Sequence, residues 1–148
     1  MAVNKWAAAP TSRGNQLTTE LNSLAINAFT AVGPAFDNTS NLDLLFTFEV
    51  VLASLAATAG GYINIYAVPS QDNGTTYADP PSSTNPGNHL LVATISITSG
   101  TSAKRQSTID PVRLPPLKMK FVAKNGAGIA LASSGNTIGL FSTNESVA

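Results

Sequence analysis

Strict two-residue alternation over residues 42–55 is the feature that most limits what this chain can become. Leu44, Phe46, Phe48 and Val50 alternate with Leu45, Thr47, Glu49 and Val51. A period of two sends successive side chains to opposite faces of a strand. Glu49 lies off the Phe46/Phe48 side, so that side faces a core. A strand this long bends or carries a bulge, and residues 56–61, ending in Gly60-Gly61, supply the break. The alternation returns at 62–68, where Ile63, Ile65 and Ala67 oppose Tyr62, Asn64 and Tyr66. No segment sustains a helical period.

The rest of the chain is read in the same way. Residues 23–32 carry Leu24, Ile26, Ala28 and Thr30 on one side, up to Gly33-Pro34. Residues 89–98 carry Leu91, Ala93, Ile95 and Ile97. Residues 106–114 are extended, and Pro111, Pro115 and Pro116 put them at a sheet edge, because proline donates no ladder bond. Residues 117–124 turn Leu117, Met119, Phe121 and Ala123 inward and Lys118, Lys120 and Lys124 outward. Asn125-Gly126 is the strongest hairpin-turn signal, and 128–132 and 137–143 are the last strands. Residues 1–22 are small and polar and read as an N-terminal arm with at most one short strand, at 16–21. The expected fold is all-β: about eight strands over 23–148 in a jelly-roll-like antiparallel β-sandwich.

Little in the chain points to catalysis. There is no cysteine, which removes disulfides, thiolate nucleophiles and cysteine-based zinc sites. His89 is the only histidine, and no Gly-x-Ser-x-Gly elbow accompanies it. The acids Glu20, Asp37, Asp43, Glu49, Asp72, Asp79, Asp110 and Glu145 are scattered, without calcium-ligand spacing. No glycine-rich phosphate loop is present. The expectation is a non-enzyme without cofactor or metal. Net charge is zero, so neither nucleic acid nor an anionic membrane is an expected partner, and no apolar run reaches membrane-span length. Charged residues make up 11% of the chain, against about 25% in ordinary soluble proteins. A surface of Ser, Thr, Asn and Gly repels neighbours weakly and suits an assembly component.

Three features look like binding surfaces. The first is charge segregation. Ahead of Lys104 there are 2 cations against 6 carboxylates, a charge of −4; from Lys104 on there are 6 against 2, a charge of +4. Such a dipolar molecule docks on an acidic surface in one orientation. Arg13, Arg113 and the row Lys118, Lys120 and Lys124 are the candidate partner contacts, although a lysine row also serves as a charged edge that blocks aggregation. The second is Trp6, the only tryptophan, expected to be buried against the body or another subunit. The third is the proline-rich loop 69–88, with Asp72 and Tyr77 as exposed candidates.

The run from Ile109 to Gly126 (IDPVRLPPLKMKFVAKNG) continues through Ile129 to Ile138, after an earlier GYINIYA and the later Asp72 to Tyr77 stretch. Together these resemble small virion proteins of tailed bacteriophages, and in particular jelly-roll capsid decoration (cement) proteins. The resemblance covers about half of the chain and carries no catalytic residue. It implies a homo-oligomer, trimer or dimer, on the outer surface of the capsid. Such an oligomer binds the major capsid protein and stabilises the head. The alternatives are a tail or baseplate subunit, or a carbohydrate- or receptor-binding module that presents the 69–88 loop with Tyr62 and Tyr66 as a stacking platform.

Overall fold

Two antiparallel sheets pack face to face, and the alternating segments supply their inner faces. The computed structural model describes residues 4–147, so the first three residues of the expected arm lie outside the described residues. In chain order the strands are β1 (Asn4–Trp6), β2 (Thr11–Leu17), β3 (Phe36–Asp37), β4 (Leu45–Leu52), β5 (Tyr62–Ser70) and β6 (Leu91–Ser96). They continue as β7 (Lys104–Ser107), β8 (Val112–Arg113), β9 (Lys118–Gly126), β10 (Thr137–Thr143) and β11 (Glu145–Val147). Two single 3₁₀ turns, Thr19–Leu21 and Asn88–Leu90, are the only helical pieces among the described residues.

One sheet runs β2-β10-β4-β7, with β8 also on the β7 side of β4; the other runs β3-β9-β5-β6. The expected core faces of β4, β5 and β9 are observed, whereas Leu44, ahead of β4, and Ile26 are exposed. Phe46, Phe48, Val50, Ile138 and Leu140 from the first sheet meet Ile63, Ile65, Ile95, Met119, Phe121 and Ala123 from the second. Phe48 and Phe121 meet edge to face across the layer, with centroids 5.6 Å apart, the arrangement that ring quadrupoles favour. A bulge in β6 shifts the register between Ile65↔Ala93 and Tyr66↔Leu91. It moves Leu91 off the core face and leaves it exposed.

Several expectations are corrected. The described part of the first 22 residues holds two strands, not at most one: Asn4–Trp6, and Thr11–Leu17 in place of 16–21, the latter a full member of the first sheet through β10. β1 pairs with β11, so both ends of the described chain form one small ribbon. Residues 23–32 form no regular strand: Ser23 and Asn27 have φ of 56° and 60°, and a strand does not accommodate positive φ. They follow the edge of β9 by separate bonds, Thr30 N–H to Ala123 O at 2.8 Å among them. Asn125-Gly126 is no hairpin turn either: it is the last pair of β9, matched with Ile63 and Tyr62 of β5. Asn125 is 0% exposed. Its amide donates to the carbonyls of Leu24, Ala25 and Ile129, and its carbonyl accepts from Ala127 N–H. Gly126 is required by close approach: a Cβ there would lie 2.5 Å from the Tyr62 ring. Residues 128–132 form no strand.

Candidate functional site

Backbone topology decides which candidate side chains can share a partner. On β4 and β10 the inward residues leave Thr47, Glu49 and Phe141 pointing away from the core. Beside this outer face lie Trp6, at the end of β1, and the link of residues 8–10 into β2. The result is an open apolar groove of about 430 Å³ lined by Trp6, Ala8, Ala9, Pro10, Ile109 and Pro111, with Thr47 and Thr143 beneath. Trp6 does not bury against the body: it is 59% exposed, and Ile109 is 90% exposed. Sequence reasoning missed Ile109. It lies in the proline-marked edge segment between β7 and β8, where no alternation marks a face. The nearest ion pair on this side, Arg105–Glu49 at 3.8 Å, is well solvated on the arginine side and contributes little to stability.

Lys118, Lys120 and Lys124 occupy one face of β9, as expected, but the side of β9 away from β5 is covered, by β3 at Lys118 and Met119 and by the bonds of residues 27–33 beyond, so it is not a free edge. The edge-guarding reading is therefore wrong. Their face is the outer side of the second sheet, opposite the Trp6 groove, so the structure does not bring Trp6 and the lysines together. Each ammonium already has a local seat. Lys118 pairs with Asp37 at 3.6 Å. Lys120 sits 4.3 Å from the Tyr77 ring centroid and Lys124 5.4 Å from that of Phe29, which are cation–π contacts. The Asp37 carboxyl is held below its ordinary range, chiefly by the hydroxyl and then the amide of Thr39, with Lys118 adding less.

The long loop is not a free display. Tyr77 and Ala78 fold back on the outer face of the second sheet and cover Tyr66, Val68 and Val122 with help from Phe29. Tyr66 is 2% exposed, and burial there removes it from any sugar-stacking platform. Asp72 is exposed, as expected, yet its carboxylate organises the loop. It accepts from the Thr76 hydroxyl at 2.6 Å, the Thr76 amide at 2.8 Å and the Ser70 hydroxyl at 2.7 Å. Those bonds, Thr76 first, lower its pKa to about 2.

Arg13, a partner-contact candidate, is half-buried and engaged within the chain. Its guanidinium pairs with Asp43, a side chain with 5% exposure, and its Nε donates to Ser142 Oγ at 2.8 Å. Asn144 donates to the other Asp43 oxygen at 3.2 Å, and Asn38 closes both backbone groups of Asp43. This network fastens β2 to the segment that opens β4. Arg113 is exposed at the end of β8. Among the described residues no three His, Asp or Glu side chains are gathered as a metal site requires, and no helix is long and apolar enough to cross a membrane. The chain matches no family model, no curated protein and no solved structure.

Proposed function

We propose that this chain is a non-enzymatic virion structural protein, a capsid decoration or cement protein that binds the major capsid protein lattice on the outer surface of the head. The observation that carries the reading is the Trp6–Ile109 groove: a contiguous apolar surface, rich in proline and alanine, that a lone chain leaves open to water. Exposed apolar patches of this kind mark contact sites, and tryptophan is enriched among the residues that dominate them. The strand orders 2-10-4-7 and 3-9-5-6 interleave early and late strands. Two nested Greek keys produce that interleaving, which supports the jelly-roll form and with it the resemblance to decoration proteins.

The groove and the lysine row face opposite ways, so one partner surface engages one of them. The groove is assigned to the shell, because it is the face with apolar area to cover. Lys120 and Lys124 have no carboxylate partner among the described residues and contribute orientation through long-range attraction. Covering Ile109 contributes about 1.5–3 kcal/mol and Trp6 a comparable amount; many copies per head add avidity. The test is co-sedimentation of purified protein with heads that lack it. The double variant W6A/I109S is expected to lose at least about a hundredfold in affinity, from roughly 3 kcal/mol of lost burial, while K120E/K124E loses less. Undiminished binding by W6A/I109S contradicts the assignment. Binding to isolated tails but not heads favours a tail or baseplate subunit.

A further inference from the structure

We propose that the open end of the sandwich beside β6 and β8 is a binding site for an apolar monocarboxylate, independent of the docking groove and sharing no lining residue with it. A pocket of about 180 Å³ opens there. Its floor is Ala67, Leu90, Leu114 and Met119, all buried side chains of the main or the lesser core. At its rim are His89 and Arg113, both exposed. Among the described residues neither makes an ion pair with a carboxylate.

The chain builds this arrangement locally. The 3₁₀ turn Asn88–Leu90 turns Leu90 inward and leaves His89 outside. β8 is only two residues long, so the chain leaves the sheet directly after Arg113 and drops Leu114 into the interior. An apolar floor beneath two basic side chains selects a ligand with both parts. The guanidinium offers a planar fork of donors that matches a carboxylate, and the floor offers nothing to a polar chain. The charge complementarity is one-sided, with no acid lining the pocket. The small volume limits the part of the ligand held there to a short apolar chain. That chemistry is found in a free short-chain acid and in a peptide's terminal carboxylate on an apolar residue.

The experiment is an amide NMR titration of the full chain with hexanoate, N-acetyl-leucine, hexanol and N-acetyl-leucinamide. The acids are expected to shift the amides of Leu90, Val92 and Leu114 saturably, and the neutral compounds to bind at least about tenfold more weakly, since a charge-assisted hydrogen bond is worth about 1.5–3 kcal/mol. The acid that binds more tightly identifies the source. R113Q changes an exposed side chain and keeps the fold, which unshifted core amides verify. It is expected to remove the preference for acids over neutral compounds. Absence of saturable shifts from either acid, equal binding of acids and neutral compounds, or an unchanged preference in R113Q overturns the proposal.

Discussion

Replacing Asn125 with alanine is expected to cost about 4 kcal/mol of folding stability, and the figure follows from its bonds. The side-chain amide donates to Leu24 O at 2.9 Å, Ile129 O at 2.8 Å and Ala25 O at 3.2 Å, and the side-chain carbonyl accepts from Ala127 N–H at 2.9 Å. Two N–H groups serve three carbonyls, so the side chain makes the equivalent of about three bonds, each worth roughly 1 kcal/mol net. Ala127 is completely buried, so losing the bond to its amide is counted at about 2 kcal/mol, within the ~1–3 kcal/mol of a stranded buried amide, in place of the ordinary value; with the two donor bonds the sum is about 4 kcal/mol. For a chain of this size the loss lowers Tm by about 8–16 °C, at roughly 2–4 °C per kcal/mol. Urea unfolding followed by circular dichroism measures it, with the m-value unchanged. Asn125→Asp is the sharper control. It keeps the shape but turns an oxygen toward three carbonyls, so at neutral pH it is expected to be at least as damaging as Asn125→Ala. A loss below about 1 kcal/mol for Asn125→Ala, or a milder Asn125→Asp, refutes the reasoning.

Three further outcomes are expected. R13A strands the buried Asp43 carboxylate and costs about 2–4 kcal/mol, at or below the usual range for a broken buried pair because Arg13 is partly solvated; a double-mutant cycle with D43N gives a coupling above about 1 kcal/mol if the two act as a pair. The Asp72 carboxyl has a folded pKa of about 2 against an ordinary 3.8. Its contribution to loop order is therefore complete above the ordinary value and lost as pH falls through about 2. Faster hydrogen exchange at Gly74 and Thr76 in that window, and in D72A at neutral pH, is the readout; no difference between D72A and the parent chain contradicts it. Trp6 fluorescence from the isolated protein is expected to be red-shifted and readily quenched by acrylamide, and to shift blue on docking; a blue, protected signal in the free protein contradicts the exposed groove.

Most of the architecture is legible in the chain because alternation is a physical signal. β4, β5, β9 and β10 each bury the face that their period of two marks; β5 and β9 also bury Tyr66, Val68 and Val122 on the other face, which the alternation does not announce. What is not legible depends on distant partners. β2, TSRGNQL, has too little apolar content to declare itself; its pairing with β10 and the Arg13–Asp43 bond make it a strand. Asn125-Gly126 has the composition of a tight turn, yet the same side chain that favours turns also satisfies four backbone groups inside a sheet. Residues 23–32 alternate like a strand, but the left-handed Ser23 and Asn27 break the ladder. Alternation places Lys118, Lys120 and Lys124 on one face. That this face lies opposite Trp6 follows only from the order of strands across the two sheets.

The most direct test of the decoration reading is cryo-electron microscopy of virions made with and without this protein, paired with heating and osmotic shock of both. The expected result is density on the head exterior, with the Trp6–Ile109 face against the major capsid protein, that disappears with the protein while the depleted heads burst earlier. Unchanged heads, with the protein found at the tail tip or absent from the particle, contradict it.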